Sequence, residues 1–161
     1  MKKFPLLAAA FCLLVLMTIT CSAAEPSFTT VSTVIQPLED GYYLETTVEN
    51  TSPTTSVFSS NSSLKTVTGK KTTAIKSASG DVLCSLTINA DFTYNQTTSK
   101  CTACSASSSA PGKYWNIINR KSSKSGKTAT ATGTARKTAN GVYHDTLLKV
   151  TLTCSASGKL S

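Results

Sequence analysis

Cys101-Thr102-Ala103-Cys104 is the densest piece of reactive chemistry in the sequence. A redox-active Cys-x-x-Cys opens a helix after a strand, and the helix N-terminus lowers a thiol pKa. Here the flanks are Ser/Thr-rich and no βαβ pattern surrounds the motif. A zinc site would want a second pair, yet Cys84 and Cys154 stand alone and His144 is the single His. Structural disulfides are the expected role, each contributing about 2–4 kcal/mol. Extended residues i and i+3 point to opposite faces. Cys101 and Cys104 are therefore expected to pair elsewhere, one with Cys84 and one with Cys154. Four cysteines allow three connectivities, and Cys101–Cys154 with Cys84–Cys104 is the favoured one.

The other reactive patterns fail on their surroundings. Gly126-Lys127-Thr128 imitates the end of a phosphate-binding loop, but Lys121 stands where that loop needs Gly, and a strand pattern follows instead of a helix. His144-Asp145 holds the imidazole a serine hydrolase would need, without a Gly-x-Ser-x-Gly elbow. Adjacent strand residues also point apart, so Asp145 is badly placed to orient His144. The acids Asp81, Asp91 and Asp145 are too scattered to read as a glycosidase pair. No catalytic residue, cofactor or metal ligand is assigned, and the chain reads as a non-enzyme.

Binding chemistry has more to work with. Tyr114-Trp115 is a candidate glycan platform, and Tyr42-Tyr43 a further aromatic pair. Lys70-Lys71 and Arg120-Lys121 with Lys124 and Lys127 are the densest basic clusters, candidates for an anionic polymer. Thr128, Thr130, Thr132 and Thr134 form a one-sided hydroxyl rank suited to a solvated strand face, ice or a polysaccharide. The opposite rank of Ala129, Ala131, Gly133 and Ala135 is expected to pack against a facing sheet.

Elements must hold these groups in place, and composition says which. Ser and Thr dominate, while Leu, Met, Glu and Gln are scarce, so helix formers are in short supply. Short alternating runs separated by turn residues predict an all-β fold: an antiparallel β-sandwich, immunoglobulin-like in general architecture and stabilised by disulfides. The expected strands are Tyr42–Val48, Leu64–Thr68, Lys71–Lys76, Val82–Ile88 running on toward Tyr94, Cys101–Ala106, Tyr114–Ile118, Lys127–Ala135 and Val142–Cys154. Ser77–Asp81 and Asn140-Gly141 read as turns, and Arg120 to Lys127 as a basic loop.

Lys2 and Lys3, the apolar run Phe4–Ile19 and Ser22-Ala23-Ala24 have the order of a secretory signal peptide, not of a stable transmembrane anchor. The expected organisation is a leader over 1–24, an acidic segment with one strand over 25–49, a Ser/Thr-rich linker over 50–63 and a β-sandwich body over 64–161. Charge is split: between residues 25 and 60, Glu25, Glu39, Asp40, Glu45 and Glu49 face no Lys or Arg, and fourteen basic residues follow. The split implies attraction between the halves or a basic face for an anionic partner such as a cell-wall polymer or glycan. An exported chain without a recognition helix excludes nucleic acid.

The segments Gly80-Asp81-Val82-Leu83, Phe92-Thr93-Tyr94-Asn95, Cys101-Thr102, Lys124–Lys127 and Leu152–Ser161 resemble a group of small secreted β-rich proteins of clostridia and related Gram-positive bacteria. The resemblance covers roughly residues 35–161. It implies the fold class and the extracytoplasmic address, and it lends no activity.

The expected function is thus a secreted, non-catalytic binding or cell-surface-associated module. The alternatives are an exported cationic protein acting on anionic membranes and, more remotely, a small secreted hydrolase built on His144.

Overall fold

A computed structural model of the chain describes residues 29–50 and 64–161. The expected leader, and all of the Ser/Thr-rich linker but Asn50, lie outside the described residues. Eight strands follow one another: β1 (Thr29–Pro37), β2 (Tyr43–Asn50), β3 (Lys65–Lys76), β4 (Val82–Tyr94), β5 (Ser99–Ser109), β6 (Trp115–Ser125), β7 (Thr128–Ala139) and β8 (Val142–Thr153). Among the described residues a single 3-10 turn spans Glu39–Gly41. All pairings are antiparallel, in a five-stranded sheet of order β1-β2-β3-β4-β5 and a three-stranded sheet of order β6-β7-β8. Among the described residues no helix is long and apolar enough to cross a membrane.

Strict alternation builds the core. On β4, Cys84, Leu86, Ile88, Ala90, Phe92 and Tyr94 are buried on one face. Facing them, β7 offers Ala129, Ala131, Gly133 and Ala135, and β8 offers Leu148, Val150, Leu152 and Cys154. Small residues on β7 make room for the large ones of β4: a Cβ on Gly133 would already lie 3.2 Å from Ile117 and 3.6 Å from Leu86. β8 crosses β3 and β4, and β7 crosses β4 and β5, so the sheets pack face to face in a sandwich-like pair of layers. The layers join along the β5–β6 flank and stand apart on the β1–β2 side. The Ala/Gly rank thus faces the second sheet, as expected.

Several expectations need correction. Connections are sequential in both sheets, so the Greek-key crossing of an immunoglobulin fold is missing. The N-terminal segment carries two strands, because the Val31–Ile35 run also pairs, with β2. β2 in turn pairs with β3, and Glu49–Lys70 and Glu45–Lys76 bridges at 2.8 and 2.6 Å link the acidic segment to the basic body. Leu64–Thr68 and Lys71–Lys76 belong to one strand, β3. The expected loop from Arg120 to Lys127 is mostly strand: a bulge at Asn119, in left-handed conformation (φ 54), interrupts β6, which resumes at Lys121 opposite Thr132. Only Gly126 and Lys127 turn, with Gly126 at φ +53. Asn140-Gly141 takes left-handed φ at both positions, as a type I′ hairpin requires.

The favoured disulfide set is also corrected. All four cysteines are thiols in this structure. Cys84 pairs with Ile75, whereas Cys104 pairs with Ala90, six residues further along β4. That separation is about 20 Å at a strand's rise per residue, far outside disulfide reach. The premise fails too. A bulge at Thr102 adds one residue between Cys101, which opposes Phe92, and Ala103, which opposes Asp91. Both Cys101 and Cys104 therefore lie on the inward face of β5.

Candidate functional site

The inward alternation does not stop where the core stops. One row beyond Ile117, Ala135 and Thr146, the small sheet places Trp115, Lys137 and His144 side by side, on the same inward face. Opposite, Ile75 ends the floor of the large sheet. The layers thus part at this end into a cleft of about 640 Å³. Its remaining rim is the connection between β1 and β2, contributing Pro37, Leu38, Glu39, Asp40 and Tyr42.

That connection is tight. The Leu38 N–H donates to Tyr42 O at 2.9 Å and the Tyr42 N–H to Glu39 O at 3.3 Å. Asp40 (φ 58) and Gly41 (φ +73) are both left-handed, which costs an Asp less than most residues. The turn presents Glu39 and Asp40 to solvent and swings Tyr42 inward. The Tyr42 and Trp115 rings meet edge to face, with centroids 5.7 Å apart and planes at 86°. The Lys137 ammonium sits 4.7 Å from the centre of the Tyr42 ring. Trp115 is held at the start of β6 by its N–H donating to Gly112 O at 2.9 Å.

The sequence candidates fare unevenly against this geometry. Trp115 lines the cleft, but Tyr114 turns outward and is 58% exposed, with Lys113 over its ring. Tyr114 and Trp115 therefore share no face, and the ring beside Trp115 is that of Tyr42. His144 is in the cleft, while Asp145 lies on the outer face in a two-pronged pair with Arg136, both bonds 2.7 Å. That contact holds the Asp145 carboxyl below its usual pKa.

The basic clusters come apart. Lys70 points out and pairs with Glu49, whereas Lys71 points in between Val48 and Ile88, where burial lowers its pKa. Arg120 donates to Ser108 Oγ at 2.9 Å and Lys124 to Thr102 O, so both tie β6 to β5. Lys121 and Lys127 remain exposed. Lys121 stands with Lys149 on either side of Thr132 on the outer face of the small sheet.

At the opposite end lie the thiols of Cys101 and Cys154. The Cys101 N–H donates to Gly126 O at 2.8 Å and the Cys154 N–H to Lys127 O at 3.0 Å, so one turn anchors both. Burial raises both thiol pKa values; proximity to Cys104 raises that of Cys101 further, and proximity to Cys101 that of Cys154. Cys84, alone in the core, is pushed up to about 11 by burial. Among the described residues no cluster of three His, Cys, Asp or Glu could hold a metal ion.

Sequence reasoning missed Glu39, Asp40 and Lys137. The signal was available for Lys137: the Ala129-to-Ala135 rank continues two residues on into a charged side chain, which marks the mouth of the layer. No known family model, curated protein or solved structure matches the chain.

Proposed function

We propose that this chain is an extracytoplasmic, non-catalytic binding module whose ligand site is the cleft at Tyr42 and Trp115, and whose ligand class is a saccharide. The address follows from the leader pattern and from the resemblance to small secreted proteins. One observation carries the site: two aromatic rings and a lysine meet in an opening between the layers. An aromatic face beside a few polar groups suits a sugar ring, whose C–H face is apolar and whose rim is hydroxylated. In an oxidising space Cys101 and Cys154 join as the stabilising disulfide.

Trp115 is the one Trp of the chain, so its fluorescence reports on the cleft directly. Titration with a panel of soluble cell-wall and host glycans should shift that emission saturably for at least one of them, and Tyr42→Ala should weaken the response. A flat emission across the panel sinks the reading.

A second reading rests on Lys121 and Lys149 flanking Thr132 on the outer, half-buried hydroxyl face of the small sheet. That face suits weak, salt-sensitive association with an anionic polymer. Retention on purified cell wall that disappears on adding salt, and survives Trp115→Ala, would assign the association to it.

A further inference from the structure

The charges in the cleft are not neutralised by one another. Among the described residues the ion pairs are Lys70–Glu49, Lys76–Glu45 and Arg136–Asp145, all on strand faces away from the cleft. Glu39 and Asp40 stand on one rim, and Lys137 and His144 in one row of the opposite layer, with the aromatic rings between. Lys137 spends its charge on the Tyr42 ring, a contact that leaves its N–H groups free to donate. Two unpaired carboxylates and an unpaired ammonium around one apolar floor make a field with a direction, negative at the β1–β2 turn and positive at β7–β8.

We infer that the cleft selects a zwitterionic saccharide: a ring on Trp115, an ammonium substituent toward Glu39 and Asp40, and an acidic substituent toward Lys137. The inference rests on the saccharide reading above and adds the charge pattern of the ligand. Charge-assisted hydrogen bonds to two fixed groups give selectivity as well as affinity. A neutral sugar would leave the three charges solvated and gain nothing from them.

Four probes separate the contributions: glucosamine 6-phosphate, N-acetylglucosamine 6-phosphate, glucosamine and glucose, each titrated against Trp115 emission and by calorimetry. Glucosamine 6-phosphate should bind tightest. N-acetylation, which removes the ammonium, and loss of the phosphate should each weaken binding about tenfold, the weight of one charge-assisted contact. The Glu39→Gln/Asp40→Asn double variant should erase the discrimination against N-acetylation and leave the preference for phosphate. Lys137→Met should do the reverse. These residues are at the rim, and unchanged unfolding midpoints would show that the variants fold. If all four probes bind equally and Tyr42→Ala weakens all four, the charge pattern is refuted while the saccharide site stands. If N-acetylglucosamine 6-phosphate matches glucosamine 6-phosphate, the role of Glu39 and Asp40 is refuted. If none of the probes binds, the inference falls, and binding of any other glycan in the panel would still support the site.

Discussion

The two ends of the layered structure are built to opposite plans. At the thiol end the C-terminal segment packs over the sheets, beside a second opening of about 620 Å³ lined by Thr93, Cys101 and Gly126. Leu160 is buried and reaches back over Gly69, where an added Cβ would sit 2.4 Å from it. Ser161 exchanges both backbone hydrogen bonds with Thr153, at 2.9 and 3.0 Å. Gly158, at φ +86, lies so flat on the Tyr94 ring that a Cβ would come within 2.4 Å of it. At the other end the same alternation of side chains runs out of apolar residues, and Lys137 and His144 stand where Leu or Ala would close the layer. The lesson is that one fold can keep a site open simply by ending its apolar rank one row early, provided the far end is sealed well enough to hold the sheets together.

The sharpest way to break the comparison is to unseal the packed end. Leu160→Ala should lower stability by about 2–4 kcal/mol, read from the denaturant midpoint at unchanged slope, because the cavity opens between packed sheets. Ligand response at Trp115 should survive in the folded fraction. An equal loss from Tyr42→Ala would show that the open end is structural after all.

Oxidation sharpens the same contrast. A Cys101–Cys154 bond, formed with a low-molecular-weight disulfide as oxidant, should raise stability by about 2–4 kcal/mol. Peptide mapping should find that bridge and leave Cys84 as a thiol. Cys101→Ser removes one partner, so the gain should vanish; a Cys84-containing bridge would overturn the placement.

Alkaline pH should act mainly through the buried thiols. The folded pKa of Cys84 is about 11, above its ordinary value of 9.0. The folded state therefore keeps a proton that the unfolded state releases, and stability falls as pH rises between those two values, by roughly 2 kcal/mol. Cys101 and Cys154 move in the same direction when reduced and drop out when joined. Midpoints from pH 8 to about 11, compared for the parent and Cys84→Ala, measure the share due to Cys84. The smallest effect is expected from Arg136→Ala, whose exposed pair with Asp145 should barely move the midpoint.

How much of this could be read beforehand depends on the length scale. The alternation on β4, β7 and β8 is local and predicts both the strand and its buried face, down to the Ala/Gly rank. Asn140-Gly141 likewise encodes its own turn. Bulges do not announce themselves: nothing in Cys101-Thr102-Ala103-Cys104 says that one residue will be extruded, and that single residue decides which thiols can meet. The second half of β6 is hidden because an edge strand with Lys and Ser on its faces looks like a loop when only side chains are read; its backbone pairing with β7 makes it a strand. The cleft was legible in part through Trp115. Glu39 and Asp40 reach it through a turn whose geometry depends on two left-handed residues, and no periodicity reports on that.

The sequential strand order has a kinetic consequence. Every ladder joins neighbours along the chain, so each hairpin can zip onto the one before it with little loop entropy lost. The slow event should be the closing of one finished sheet upon the other, and substitutions such as Ala131→Gly on the contact surface should slow folding more than changes in any hairpin turn.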